Sequence, residues 1–174
     1  MTRHAPPLLV EQRKPQVLFA HDQWPGQFGG FARWLVSGGW DVWAATGRGK
    51  SASDGVRVLR YVPHRAPSPA THPYARAFDR AALVGQACVR QCLAARDAGL
   101  SPDLIVSHAG PGAGLFLSEL FPAAVHVAYC EWWYNVPGID TAWLAEAKGE
   151  VPASTPEAAI LERCRNQPIA QELL

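Results

Sequence analysis

The sequence has no long apolar run and no excess of either charge, and both absences narrow what the chain can be. No stretch approaches the roughly 20 apolar residues that a membrane-crossing helix needs. Lys and Arg number 16 against 15 Asp and Glu, for a formal net charge of +1. That balance gives no electrostatic case for nucleic acid or an anionic membrane as the main partner. Basic residues are scattered, with no run longer than Arg13-Lys14. The four cysteines, Cys88, Cys92, Cys130 and Cys164, include no Cys-x-x-Cys pair, so they read as buried free thiols and not as a zinc or disulfide framework. The apolar part of "APPLLVEQRKP" is too short for a secretory signal, and its charges follow it. Residues 1–14 read as a flexible leader. The expected location is the cytoplasm, with a peripheral position at the inner membrane as a second option. Gly-x-Gly-x-x-Gly, the P-loop and internal repeats are all missing from the sequence.

What is present has the length of one domain, 174 residues, enough to bury a core. "QVLFAH" (16–21) reads as a buried strand. "QFGGFARWLVSGG" (27–39) reads as a helix with Phe28, Phe31 and Leu35 on its apolar face, Trp34 at the border of that face, and Gly38-Gly39 as its stop. "WDVWAAT" (40–46) is a second strand, and "VRVLRYV" (56–62) alternates as an edge strand does. "PHRAPSPATHP" holds four prolines in eleven residues, which excludes helix and central strand. Helical spacing follows from Tyr74 to Gly99, with Phe78, Ala81, Gly85, Cys88 and Cys92 on one stripe. A third buried strand spans 103–108. "GPGAGLFLSELFP" gives a glycine turn and a short helix, and another strand covers 125–131. Beyond Asn135 the strand pattern stops. There "STPEAAILERCRN" predicts a helix with Ser154 or Thr155 as its cap and Pro156 in its first turn. Strands alternating with helices predict an α/β fold: a Rossmann-like three-layer sandwich with a mostly parallel central sheet, residues 16–21 and 103–108 adjacent at its centre.

In such sheets ligands bind beyond the carboxyl ends of the strands, so the strand ends hold the candidate chemistry. His21 ends the first strand and "WPGQFGG" follows it. Those glycines suit either a tight strand–helix turn or a loop whose amides approach phosphate or sugar oxygens. His108 ends the central strand and leads into "AGPGAG", which repeats the pattern. An imidazole there is either structural or a hydrogen-bonding partner for a hydroxyl. Glu131 follows the last strand beside Trp132, Trp133 and Tyr134, a set that fits either a sugar platform or a lid or core cluster. Arg65 and His72 belong either to a polar surface loop or to an acceptor-side wall. No basic clamp stands beside the first glycine loop in the sequence, and no metal site is expected.

"VLFAHDQWPGQF", "PSPATHPY", "PDLIVSHAGPGAGLFLSELFP" and "YCEWWY", in that order, make the chain similar to the N-terminal domain of bacterial glycosyltransferases of family 4 over about residues 16–135. The resemblance implies the N-terminal half of a GT-B fold, in which two Rossmann-like domains face each other across a cleft. The N-terminal domain holds the acceptor and the C-terminal domain holds the donor. It implies transfer with retention of configuration, with no metal and no cofactor, a nucleotide sugar serving as co-substrate. It places Gly26, Gln27, Phe28 and Gly29, with Gly30 after them, in the loop beside the donor phosphates. It matches His108 to a histidine that contacts the transferred sugar, and Glu131 to an acid among aromatics. His108 and Glu131 are thus the catalytic expectation, and His21, Arg65, His72, Trp132 and Tyr134 the substrate-binding one.

The family's donor domain carries Glu-x7-Glu, and no two glutamates here have that spacing. The expected division is a leader over 1–14, the Rossmann-like domain over 15–135, and a loop and helical tail over 136–174 leading toward a missing donor domain. On that division the chain alone is expected to be inactive. Expected partners are the nucleotide sugar, a glycan or lipid-linked acceptor, the donor domain, and a second copy through exposed aromatics. Two other readings remain at this stage: a stand-alone sugar- or nucleotide-binding module without turnover, and an interaction domain whose aromatics bind another chain.

Overall fold

A computed structural model describes residues 13–49, 55–134 and 155–174. Most of the leader (1–12), the Ser154 cap and the first part of the tail therefore lie outside the described residues. The described strands are β1 (Gln16–Ala20), β2 (Gln23–Trp24), β3 (Asp41–Thr46), β4 (Arg48–Gly49), β5 (Val56–Arg60), β6 (Leu104–His108) and β7 (Val125–Tyr129). The described helices are α1 (Gly29–Ser37), α2 (Arg76–Asp97), α3 (Leu117–Leu120), α4 (Pro156–Cys164) and α5 (Gln167–Glu172).

The main sheet has the order β5-β3-β1-β6-β7, and each of its neighbouring pairs is parallel. In β1, Val17, Leu18, Phe19 and Ala20 are all fully buried, as a central strand covered on both faces requires. On one face Val17, Phe19, Val42, Ala44 and Val106 pack under Phe28, Ala32 and Leu35 at the start of and along α1. On the other, Leu18, Ala20, Trp43, Ala45 and Ile105 pack under Ala87, Cys88, Cys92 and Ala95 of α2 and Leu117 of α3. The result is a Rossmann-like α/β/α sandwich. Each fully buried Leu or Phe contributes about 1.5–3 kcal/mol to it.

Several local expectations are corrected. α1 begins at Gly29, after a one-turn 3-10 helix over Gly26–Phe28. Trp34 is 68% exposed and does not anchor α1, whereas Phe31, 41% exposed, still sets its ring edge-on to Phe19 with centroids 5.7 Å apart. Phe28, Ala32 and Leu35 form the buried stripe, and at about 100° per residue Phe31 and Trp34 point roughly 60° and 120° away from it. Trp34 stacks on the outer side of Phe31, with centroids 6.1 Å apart. The expected strand over 56–62 ends at Arg60, and the one over 125–131 ends at Tyr129, where β7 runs out of a partner in β6. α2 starts at Arg76, because Pro73–Ala75 forms a 3-10 turn capped by His72. Cys88 and Cys92 are buried, but Cys130 is exposed and Cys164 half-buried, since both lie past the sheet.

The described part of the tail folds back over the sheet's carboxyl edge. Thr155 caps α4, its hydroxyl accepting from the Ala158 N–H at 3.3 Å. Buried Asn166 then clips the tail to the chain beyond β7. Its amide oxygen accepts from the Tyr134 N–H and its amide nitrogen donates to the Tyr134 carbonyl, each at 2.8 Å. α5 packs on α2 with Ile169 only 3% exposed. Among the described residues no helix is long and apolar enough to cross a membrane.

Candidate functional site

From β1 the chain crosses to β3 on one side, and from β6 to β7 on the other, so the strand order reverses between β1 and β6. A crevice opens at their carboxyl ends, as the topology of doubly wound sheets dictates. It forms a cleft of about 1010 Å³ whose lining includes His21, Gly26, Gln27, His108, Glu131 and Trp132.

His21 is fixed from both ring nitrogens. Its Nδ1 accepts the Gln23 N–H at 3.0 Å, which leaves Nε2 to donate to Gln27 Oε1 at 3.0 Å. Burial lowers the His21 pKa, an effect that outweighs the Gln27 bond, so the neutral ring with its proton on Nε2 is favoured. Gly26 makes room for this ring. It has φ +48°, and a Cβ there would stand 2.5 Å from His21 Nε2. The His21 and His108 rings stack with centroids 4.9 Å apart. His108 Nε2 in turn lies 3.0 Å from Glu131 Oε2. A row therefore runs Gln27–His21–His108–Glu131 along the crevice, hydrogen-bonded at each end and ring-stacked in the middle, polar groups of a kind suited to sugar hydroxyls or phosphate oxygens.

Beside this row a second set of polar contacts ties the loops after β1, β3 and β5 together. Asp22 Oδ2 accepts from Arg48 at 2.7 Å, and Asp22 Oδ1 lies 3.4 Å from the Tyr61 hydroxyl. Burial raises the Tyr61 pKa and keeps the phenol protonated. Thr46, fully buried, accepts the Trp24 N–H at 3.1 Å and reaches the Asp22 and Arg48 carbonyls. The parallel pairing of β2 with β4 holds the same turn, and Trp24–Pro25 is a cis peptide.

The structure thus brings His21, Gly26, Gln27, His108, Glu131, Trp132 and Tyr134 to one cleft. It places the other expected residues elsewhere. Phe28 is 6% exposed and belongs to the core under α1, its ring set edge-on to His21 and outside the cleft lining. Gly29 and Gly30 lie in the first turn of α1 and are not among the lining residues. Arg65 pairs with Asp79 at 3.5 Å, and His72 Nδ1 accepts the Tyr74 N–H at 3.2 Å. Both brace the proline-rich loop, away from the cleft lining.

No basic clamp stands beside the first glycine loop in the sequence, but the fold brings arginines to the cleft from elsewhere. Arg48, Arg76, Arg80 and Arg165 all line the cleft. They come from three separate places in the chain, and only Arg76 and Arg80, one helical turn apart, carry a local spacing that could have been noticed. Among the described residues, no group of three His, Cys, Asp or Glu side chains comes together to hold a metal ion. A separate depression of about 690 Å³ lies between Trp133, Tyr134 and helices α4 and α5. It holds none of the strand-end histidines.

The sequence model described as "Glycosyl transferase family 4 group" matches residues 38–174. No curated protein matches the chain significantly. Among solved structures, the chain is similar to that of CalG4, the calicheamicin glycosyltransferase, at 19% identity and a TM-score of 0.45. That match covers 94% of this chain and 44% of the other, so this chain spans less than half of that protein's length.

Proposed function

The chain belongs to the glycosyl transferase family 4 group, and we propose that it is the N-terminal, acceptor-side half of a retaining transferase of GT-B architecture. In this reading it helps to move a sugar from a nucleotide-sugar donor to a glycan or other acceptor. The observation that carries the reading is the stacked His21–His108 pair at the β1/β6 crevice, flanked by Gly26-Gln27 on one side and Glu131 on the other.

That geometry supports the following roles. The turn at Gly26 brings the backbone close to the donor phosphates. His108, held by Glu131, hydrogen-bonds the sugar being transferred, and His21, neutral and locked by Gln27, supports the His108 ring from the other face. Trp132 offers an apolar surface for sugar C–H groups. His108 and Glu131 act by orienting and stabilising developing charge, a contribution that grows as the transition state forms.

The test is His108→Ala in a protein that joins this chain to a donor domain, followed by steady-state kinetics and thermal unfolding. The expected result is a fall in kcat/KM of about 100-fold, the scale on which a positioned hydrogen bond to a reacting centre acts, with the unfolding midpoint little changed. Unchanged kinetics would remove His108 from the site. Nucleotide-sugar binding without any turnover would favour a binding module.

A further inference from the structure

The cleft carries cations that the row of histidines does not use. Of its four arginines, Arg48 is paired with Asp22 at 2.7 Å and Arg165 with Glu162 at 3.1 Å. Glu131 is already taken by His108. Asp79, the neighbour of Arg80, turns instead to Arg65 and to the Thr71 hydroxyl, at 3.5 and 3.0 Å. Among the described residues, that leaves Arg76 and Arg80 with no carboxylate. Arg76 donates only to the carbonyls of Pro69 and Thr71, at 3.5 and 3.2 Å.

Their placement is unfavourable for a merely solvated surface. They stand one turn apart on α2, on the face whose Ala77 and Val84 also line the cleft, so the two guanidinium groups repel. Both lie in the first turns of a 22-residue helix, where its dipole opposes positive charge. A bridging anion relieves both conflicts. Two planar forks carried one turn apart on the same helix can converge on an anion with several oxygens, each fork taking an oxygen pair, which a phosphate monoester provides and a single carboxylate does not.

We propose that Arg76 and Arg80 form a subsite for a phosphate group carried by the acceptor. The word acceptor rests on the transferase reading above. Gly26 leads into α1, in the layer over one face of the sheet, whereas Arg76 and Arg80 sit on α2, in the layer over the other. A donor whose phosphates lie at Gly26 therefore leaves the arginine pair free for the second substrate.

The experiment titrates the 174-residue chain with sn-glycerol 3-phosphate by calorimetry, with acetate and UDP as comparison ligands. Arg80→Gln is the deciding variant, because Arg80 bonds to nothing among the described residues and its loss leaves the fold's contacts intact. The expected results are glycerol phosphate binding weakened about tenfold in Arg80→Gln, weakened further in the double variant with Arg76→Gln, and unchanged in Arg90→Gln, an exposed position further along α2. A second arm compares retention on phosphatidylcholine vesicles with and without phosphatidate. Phosphatidate-dependent retention that falls in Arg80→Gln assigns the phosphate to a lipid-linked acceptor, and soluble binding alone assigns it to a soluble one. Equal affinity in wild type and double variant, acetate binding as tight as glycerol phosphate, or displacement of glycerol phosphate by UDP would each overturn the subsite. If Arg80-dependent binding stands while His108→Ala leaves transfer unchanged, the subsite survives and the assignment of the histidine row fails.

Discussion

At Gly26 the backbone and an imidazole compete for the same space. Its φ of +48° disfavours any side chain, and a Cβ would sit 2.5 Å from His21 Nε2, the atom that donates to Gln27. Gly26→Ala should push the ring off Gln27 and disturb its stack on His108. The expected cost is roughly 1–3 kcal/mol, the sum of a left-handed alanine and one lost buried hydrogen bond. Thermal unfolding and the ring nitrogen shifts of His21 measure it; an unchanged midpoint with unchanged shifts would refute the account. The same residue sets a pH dependence. Burial holds the His21 pKa below its ordinary value of about 6.5. A lowered folded-state value means that its contribution is present above about pH 6.5 and is lost as pH falls through the folded value. His21→Gln should therefore flatten the loss of stability between pH 7 and 5. A variant that loses stability with acid as steeply as wild type would show that His21 is not the group responsible.

At the level of elements, α5 is fastened to the sheet by one carboxylate. Glu172 Oε1 accepts from Ser107 Oγ at 2.5 Å, and the Ser107 hydroxyl also lies 2.8 Å from His126 Nε2. His126 Nδ1 continues the chain to Ser118 Oγ at 2.9 Å. Glu172 Oε2 is buried without a partner, and burial raises the Glu172 pKa. Gly114 leaves the carboxylate its seat, since a Cβ there would stand 2.1 Å from Oε1. A raised value gives a contribution that is complete below the ordinary glutamate pKa of about 4.3 and lost as pH rises through the folded value, the reverse of His21. Glu172→Gln should thus unfold a few degrees above wild type at pH 7, about what 1 kcal/mol is worth at this length, and the two curves should converge toward pH 4. A gap that widens with acid would mean that the carboxylate stabilises α5 in its charged form. None of this network was legible in the sequence, because Ser107, His126 and Glu172 meet only through tertiary placement. The main sheet was legible for the opposite reason. Strands β1, β3 and β6 are covered on both faces and show it as unbroken apolar runs, and glycines follow β1 and β6 where the chain must turn. The two-residue strands β2 and β4 have no period to read, and the helical period of α1 could not tell Phe28 and Leu35, which reach the sheet, from Trp34, which does not.

At the scale of the whole molecule the question is whether one sandwich can carry out transfer by itself. Departure of a nucleoside diphosphate needs preorganised donors along both phosphates and a cleft closed to water. On the proposed reading the row from Gln27 to Glu131 meets a sugar and the nearer phosphate, and two of the four cleft arginines, Arg76 and Arg80, stand apart on α2. Trp132 and Trp133 remain 47% and 45% exposed at and beyond the cleft's edge, a surface that a facing domain would cover. Folding makes no such demand, since both sheet faces already bury their own clusters under α1 and under α2 with α3. The expected behaviour of purified residues 1–174 is therefore a cooperative thermal transition together with no multiple-turnover transfer from a panel of nucleotide sugars. A protein that continues the chain with a second Rossmann-like domain should turn over under the same conditions. Measuring both in parallel separates a folding defect from a missing wall: an unfolded short chain would refute the independent core, and steady transfer by the short chain would require that all the groups needed for catalysis lie within these 174 residues.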